Sequence, residues 1–110
     1  MRELLDRNLD FTAVFGANDL VAAGILEPLE ERGIKVPRDI SVVGYDDVPV
    51  ASELRPRLTT VRVPLEELGR EAVRLALAQS PHDAGASSDN TLTVGTHIVI
   101  RDSVSPLNKF

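Results

Sequence analysis

Two apolar segments, each followed closely by amide or acidic residues, constrain the fold of this chain more than any other feature. The first is residues 11–16 (FTAVFG) and the second is residues 40–45 (ISVVGY). Neither segment alternates polar and apolar residues, and a continuous apolar run is typical of a strand that is covered on both faces of a parallel sheet. The sequence therefore predicts two parallel strands, each buried on both faces.

An amphipathic helix is predicted between the two strands. Asn18 or Asp19 can cap its first turn, and Gly33 is the expected left-handed residue just beyond its end. Pro28 lies within this helix, where the missing amide donor is expected to bend the axis. Strand, helix and strand over about 35 residues form a βαβ unit, which predicts an α/β fold with a parallel sheet and a right-handed crossover.

The second half of the chain carries weaker signals. Residues 46–57 contain two prolines and no clear period, so they are predicted to form a long, partly ordered loop. The remaining predictions are a short strand at residues 58–63, a helix from Pro64 to about residue 79, a flexible loop at residues 80–90, a strand at residues 91–101 that Gly95 interrupts, and a polar tail.

Residues 1–8 place leucines at near-helical spacing among charged residues. They predict the last two turns of an amphipathic helix, but they include no N-cap. Because a helix this short is marginal by itself in water, we expect the chain to be cut from a longer parent protein, and a native start at Met1 is the alternative.

Polar residues follow the first predicted strand at the edge of the sheet where its carboxyl end lies. Ligands of open α/β sheets bind beyond the carboxyl ends of the strands, so these residues are candidates for a binding site. Asn18 could offer a donor and an acceptor to a hydroxylated ligand while Asp19 caps the helix. Alternatively, both residues could serve only as caps.

Two adjacent carboxylates, Asp46 and Asp47, follow the second predicted strand at the same edge. They suit the hydroxyls of a sugar or nucleoside, a Mg²⁺ ion or a phosphoaspartate, although they could also serve only to end the strand. A phosphoaspartate site of the receiver type also needs a late lysine, and the only lysines are Lys35 and Lys109. That alternative is disfavoured, and the others remain open.

The composition argues against several functions. With 12 basic and 17 acidic residues the net charge is −5, and the densest basic group is only Arg55, Arg57 and Arg62, so DNA binding by this chain alone is not expected. There is no cysteine for a disulfide, a thiolate nucleophile or a cysteine zinc site. No apolar run approaches the roughly 20 residues that span a bilayer, and the charged N-terminus is unlike a secretory signal. These features predict a cytoplasmic protein that makes no membrane contact.

No combination of residues indicates catalysis. His82 falls in a predicted loop and His97 on the last predicted strand, without the spacing of a metal site or a triad. Ser41 and Ser103 lack the strand-to-helix context of a nucleophile elbow. We therefore expect no catalytic residue, no metal and no cofactor.

Three motifs at particular separations carry a family resemblance. They are AND followed by an amphipathic helix, then VPRDISVVGYDD, then LTTVR, and the ending HIVIRDSVSPL fits the same pattern. Together they resemble the C-terminal part of the LacI/GalR-type transcriptional regulators. The likeness covers residues 11–107 apart from residues 80–90.

This resemblance implies part of a fold like that of the type I periplasmic binding proteins, in which two three-layer α/β lobes are joined by three crossings and an effector binds in the cleft. Residues 1–57 and 96–110 would belong to the C-terminal lobe, and residues 58–95 would form a crossing with a helix and strand of the N-terminal lobe. The helix-turn-helix that binds DNA in this family has no counterpart in the 110 residues.

The resemblance also implies roles for particular residues. Asn18 and Asp46 match positions that bind the effector, and Leu20 and Leu65 match positions that line the cleft. Six residues match the dimer interface of the C-terminal lobe, namely Ala22, Ala23, Leu26, Val50, Leu54 and Arg55. Val63 departs from the glutamine usual in the family, and Pro28 interrupts a helix that is normally continuous.

The function implied is that of an effector-binding and dimerisation segment of a repressor that responds to a small, sugar-like ligand. Its partners would be the effector, a second copy of the chain, and DNA only through an N-terminal helix-turn-helix. One alternative is the sugar-binding component of a transport system with the same fold. Another is an oligomerising fragment that binds no ligand.

Overall fold

The computed structural model describes residues 1–7, 10–78 and 91–107. The elements in chain order are α1 (Arg2–Asp6), β1 (Ala13–Phe15), α2 (Asp19–Glu31), β2 (Ser41–Asp46), α3 (Val50–Glu53), β3 (Thr59–Arg62), α4 (Leu65–Ala78) and β4 (His97–Val99). The flexible loop predicted at residues 80–90 lies outside the described residues.

The four strands form one sheet in the order β1-β2-β3-β4. β1 pairs with β2 and β2 with β3 in parallel, whereas β3 pairs with β4 in antiparallel orientation. The register places Phe15 opposite Val43, and Gly44 opposite Thr60. The prediction of an α/β fold built on a mostly parallel sheet is confirmed.

The core lies on one face of this sheet, between the strands and α2. Its buried apolar residues are Ala22, Ile25, Leu29, Ile40, Val42, Ala51 and Leu58. The prediction that β1 and β2 are covered on both faces is wrong for the described part of the chain. Phe15 is 61% exposed, and burial along β2 alternates between buried and half-buried residues. The reason is that the described helices pack on one face, and no described element forms a second layer over the other.

The ends of α2 are fixed by local hydrogen bonds. The Asn18 side chain is the N-cap and accepts from the Val21 amide at 2.8 Å. The prediction that Asp19 caps the helix is therefore wrong. At the other end Gly33 has a φ of +71°, as predicted, and donates to the Glu30 carbonyl, while Ile34 donates to the Leu29 carbonyl. This pair of bonds is a Schellman motif and closes the helix.

The segment after β2 is more ordered than its composition indicates. The long, partly ordered loop predicted at residues 46–57 contains the short helix α3. Ala51 is fully buried, and its carbonyl accepts from the Leu58 amide at 2.8 Å. Burial of this one small residue therefore anchors a segment in which the sequence shows no periodicity.

Helix α4 follows Pro64 as predicted, but its apolar stripe is exposed. Leu65 is 51% exposed and Leu77 is 82% exposed. Within the described chain α4 is supported by local ion pairs, such as Glu66 with Arg70 at 2.9 Å. Of the strand predicted at residues 91–101, only His97–Val99 is regular.

The segment after β4 is joined to the core by hydrogen bonds of the Ser103 hydroxyl. Ser103 is fully buried, donates to the Val42 carbonyl at 2.6 Å and accepts from the Thr59 amide at 2.8 Å. Its own carbonyl accepts from the Val42 amide at 2.9 Å. Ser103 thus bridges β2 and the start of β3, and the predicted polar tail is in part a component of the core.

We expect Ser103→Ala to lower the free energy of unfolding by roughly 1–3 kcal/mol, because the buried Val42 carbonyl and Thr59 amide would lose their partner. Urea denaturation measures this change. Ser52→Ala is the matched control, since the exposed Ser52 hydroxyl donates only to the Pro49 carbonyl within its own turn. Equal stability of the two variants would contradict the role assigned to Ser103.

None of the helices in the described residues is long and apolar enough to cross a membrane.

Candidate ligand-binding site at the carboxyl edge of the sheet

The register of the parallel strands brings Asn18 and Asp46 to the same edge of the sheet. Phe15 is paired with Val43, and Asn18 and Asp46 each lie three positions beyond these partners. The carboxyl ends of β1 and β2 meet at this edge, which is where ligands bind in open α/β folds. The two residues that the sequence singled out therefore follow the carboxyl ends of adjacent strands.

Asn18 has its side-chain oxygen engaged by the fold. This oxygen accepts from the Val21 amide as the helix cap, which modifies the prediction that Asn18 offers both a donor and an acceptor to a ligand. In the described part of the chain no group accepts from its side-chain NH₂. Asn18 can therefore cap α2 and donate to a ligand oxygen at the same time.

Asp46 has a half-buried carboxylate on an unusual backbone. Its φ is +104°, a left-handed value that residues other than glycine rarely adopt. Its backbone carbonyl accepts from the Val63 amide at 3.4 Å, but no described side chain or amide donates to its carboxylate. A carboxylate held at a sheet edge with its acceptors unused is suited to accept from hydroxyls.

Asp19 is the buried support of this edge. It is fully buried, accepts from the Thr60 hydroxyl at 2.5 Å, and accepts from the Val48 amide at 2.9 Å. It therefore ties the first turn of α2 to β3 and to the segment that follows Asp46. The sequence predicted only a cap here, since the partners lie 29 and 41 positions away.

Gly44 makes room for Asp19 in the middle of β2. A Cβ at this position would collide with the Asp19 carboxylate and would lie 2.7 Å from Cδ2 of Leu58. Gly16 plays the same part at the end of β1, where a Cβ would lie 2.8–2.9 Å from Ala22. The two glycines before the polar residues thus permit the close approach of α2 to the sheet.

Asp47 does not act as a second open carboxylate. Its side chain is 3% exposed and pairs with Arg62, and with Nη2 of Arg101 at 2.7 Å. Burial raises the pKa of the Asp47 carboxyl, but the hydrogen bonds and charges of Arg101 and Arg62 outweigh burial and hold this pKa below its ordinary value. Two guanidinium groups occupy the position that a cation or phosphoryl group would need, which argues against the Mg²⁺ and phosphoaspartate alternatives.

Exposed apolar side chains lie at the same edge. Leu20 is 68% exposed in the first turn of α2, and Leu65 is 51% exposed in the first turn of α4. Phe15, at the carboxyl end of β1, is 61% exposed and was not among the predicted site residues. The signal that could have identified Phe15 is an aromatic residue as the last side chain before the strand-end glycine.

The residues predicted for a dimer interface differ in accessibility. Ala22 is fully buried against Gly16, so its side chain has no surface to offer a second chain, which argues against a part for it in the interface. The other predicted side chains are half-buried or, for Arg55, exposed. Leu26 and Arg55 line one shallow cavity of about 130 Å³ together with Ile34 and Val36.

Comparisons with known proteins identify the family. A family model described as the periplasmic binding protein-like domain matches residues 2–104. The HTH-type transcriptional regulator GalS of Salmonella typhimurium is 51% identical over 77 residues, which are 70% of this chain and 23% of GalS. This chain spans less than a third of the length of GalS, and likewise of the HTH-type transcriptional regulator CelR of Thermobifida fusca and the HTH-type transcriptional repressor PurR of Haemophilus influenzae.

Solved structures agree in fold. The complex of the transcriptional regulator CelR with cellobiose is 41% identical, has a TM-score of 0.82, and is matched over 93% of this chain and 31% of that one. A LacI-family regulator from Enterococcus faecalis V583 with bound ribose is 32% identical, has a TM-score of 0.83, and is matched over 96% of this chain and 38% of that one. The match extends over nearly all of the sequence, so the chain belongs to the periplasmic-binding-protein-like family, within the LacI/GalR-type transcriptional regulators.

Proposed function

We propose that this chain supplies part of the effector site and of the dimer interface of a LacI-type transcriptional repressor. The observation that carries the proposal is the Asp46 carboxylate, which lies at the carboxyl edge of a parallel sheet and has no hydrogen-bond partner in the described residues. Asn18 lies at the same edge with a side-chain NH₂ to donate. Together they provide an acceptor and a donor for a ligand that carries hydroxyl groups.

The chemistry of this edge favours a neutral, sugar-like ligand. A negatively charged Asp46 accepts from hydroxyls and repels phosphate groups. The exposed Leu20, Leu65 and Phe15 provide apolar surface suited to the apolar face of a sugar ring. The solved relatives with cellobiose and with ribose support the same ligand class.

The ligand would act by shifting an equilibrium between two forms of a dimer. We assign residues 1–57 and 96–110 to the C-terminal lobe, and residues 58–95 to a crossing with a helix and strand of the N-terminal lobe. Closure of the lobes around the effector changes dimer geometry, and DNA affinity with it, if the ligand binds the two forms with different affinity. The proposed dimer face retains Ala23, Leu26, Val50, Leu54 and Arg55.

DNA would be bound by a helix-turn-helix module outside these 110 residues, in a cytoplasmic protein. This assignment agrees with the net charge of −5 and with relatives that are HTH-type regulators. The same relatives give no support to the transport alternative. We propose no catalytic activity, metal or cofactor for this chain.

Replacing Asp46 with asparagine is expected to weaken sugar binding about tenfold, because an amide is a weaker acceptor than a carboxylate for ligand hydroxyls. The product of the complete coding sequence is screened by thermal shift with cellobiose, ribose, lactose and the common monosaccharides. The Kd of the sugar that raises the Tm most is then measured by calorimetry for the wild type and the variant.

Asp10→Asn is the matched control, because Asp10 is exposed and precedes β1 at the opposite edge of the sheet. This control should bind the sugar as the wild type does. A Kd for Asp46→Asn within twofold of the wild type removes Asp46 from the site. A wild-type protein whose Tm is unmoved by every sugar of the panel contradicts the proposed ligand class.

A further inference from the structure

The backbone that carries Asp46 is held in a conformation that it would not adopt unaided. Asp46 and Asp47 have consecutive positive φ values of +104° and +60°. Residues other than glycine rarely adopt such values, and a residue that does so persists in them only where surrounding contacts enforce the conformation. The contacts that enforce it here determine where the Asp46 carboxylate points.

Hydrogen bonds hold residues 46–48 at both ends of the segment. The Asp46 carbonyl accepts from the Val63 amide, and the Val48 amide donates to Asp19 at 2.9 Å. Between these two points lies the Asp47 carboxylate, which binds Arg62 through one oxygen and Arg101 through the other. We call Asp47, Arg62 and Arg101 the Asp47 clamp.

The clamp is itself fixed to β3. Arg62 is the last residue of β3 and lies opposite Asp46 in the register. Arg101 donates from its side chain to the Leu58 carbonyl at 2.9 Å and from its backbone amide to the Thr59 hydroxyl at 2.9 Å. The two guanidinium groups therefore hold Asp47 from elements that are already anchored to the sheet.

The geometry differs from that of an ordinary surface ion pair. The Asp47 side chain is 3% exposed and that of Arg101 is 15% exposed, so solvent screens this interaction far less than it does an exposed pair. The two positive charges of the clamp balance the charges of Asp46 and Asp47. Of these two adjacent aspartates, Asp46 is thus the one whose carboxylate stays open to a ligand, beside two guanidinium groups that offset the negative charge of the pair.

We propose that Asp47 is a positioning residue that holds the Asp46 backbone in its left-handed conformation through Arg62 and Arg101, and so presents the Asp46 carboxylate to the ligand. This inference rests on the proposed function of Asp46. It assigns to the second aspartate of the pair a role distinct from ligand contact. It also links the position of the ligand-binding carboxylate to β3 and to the segment that follows β4.

The test compares Asp47→Asn and Arg62→Gln with the wild type, in the product of the complete coding sequence. Asp47→Asn removes the charge that both arginines bind. Arg62→Gln removes only one of the two ion pairs, and because the Arg62 side chain is half-exposed, this variant is expected to fold even if Asp47→Asn does not. Two readouts are taken: the Kd of the best sugar of the panel well below the Tm, and the backbone conformation of residues 46–48 in crystals grown without sugar.

We expect the Kd to rise about tenfold for Asp47→Asn and about threefold for Arg62→Gln, because loss of the clamp misplaces the acceptor. We also expect Asp46 to leave the left-handed region in Asp47→Asn. Asp39→Asn is the matched control, since Asp39 likewise binds a neighbouring arginine and holds a turn, through the Lys35 amide, but lies before β2 at the opposite edge. Its Kd should equal that of the wild type.

Two results overturn the proposal. One is a folded Asp47→Asn, or a folded Arg62→Gln where Asp47→Asn does not fold, with a Kd within twofold of the wild type. The other is retention of both positive φ values in the same variant, whatever its affinity. If the wild type binds no sugar of the panel, the proposed function fails separately, and the crystal structures alone decide whether Asp47 holds the Asp46 backbone.

Discussion

Asp19→Ala is expected to lower the free energy of unfolding by roughly 2–5 kcal/mol, because one buried and one half-buried donor would lose the acceptor they have in the described residues. A fully buried donor left without a partner costs about 1–3 kcal/mol, and a half-buried one costs less. The donors are the Thr60 hydroxyl and the Val48 amide, which Asp19 binds at 2.5 and 2.9 Å. Urea denaturation of the wild type and the variant measures the change.

Two further variants separate the contributions to this effect. Asp19→Asn retains one carbonyl acceptor, so its loss should be smaller than that of Asp19→Ala. Thr60→Val removes one of the donors, and combining it with Asp19→Ala should recover part of the loss, because one fewer buried group is left unsatisfied. If Asp19→Ala lowers the free energy of unfolding by less than 1 kcal/mol, roughly the smallest cost of one unsatisfied buried donor, Asp19 is not the support described here.

Gly44→Ala is expected to lower the free energy of unfolding by about 3 kcal/mol, the upper part of the usual range for overpacking a core. The added Cβ would collide with the Asp19 carboxylate and lie 2.7 Å from Cδ2 of Leu58, and neither side chain has open space to move into, since both are fully buried. Because the collision displaces Asp19, we also expect the variant to bind sugar more weakly than the wild type.

Gly24→Ala provides the matched control for this substitution. Gly24 lies within α2, and a Cβ there would meet nothing within 4 Å. Alanine is preferred to glycine inside a helix, so this variant should gain about 0.5–1 kcal/mol of stability. The two glycine-to-alanine changes should therefore differ in sign, and a Gly44→Ala protein as stable as Gly24→Ala would contradict the packing described for β2.

The periodic and local features of the fold could be predicted from the sequence. The apolar runs predicted β1 and β2, Gly33 marked the end of α2, and Pro64 marked the start of α4. Each of these signals depends on residues close together in the chain. Burial was predicted less well, because exposure of Phe15 and Leu77 depends on which elements pack above them.

The supporting contacts of the site could not be predicted in the same way. Asp19 was expected to be a helix cap, Ser103 to belong to a polar tail, and Asp47 to be a partner of Asp46 in binding. All three instead bind groups between 15 and 61 positions away in the sequence. A polar residue looks the same in sequence whether it faces solvent or a buried partner, so only the fold distinguishes these roles.

The candidate ligand residues, Asn18 and Asp46, could be predicted in part: their position could be predicted, but not their hydrogen bonds or backbone conformation. The motifs around Asn18 and Asp46 placed both residues beyond strand ends, and the parallel register brings those ends to one edge. The sequence did not indicate that the Asn18 oxygen caps α2, or that Asp46 has a positive φ. These details decide which atoms remain for a ligand: the NH₂ group of Asn18 and the carboxylate of Asp46.

A crystal structure of the product of the complete coding sequence, with the panel sugar that raises its Tm most, tests the central claim most directly. The account predicts a sugar hydroxyl within hydrogen-bond distance, about 2.6–3.2 Å, of the Asp46 carboxylate, and a sugar oxygen at a similar distance from the Asn18 NH₂. A sugar bound with all its oxygens beyond that distance from both side chains would contradict it.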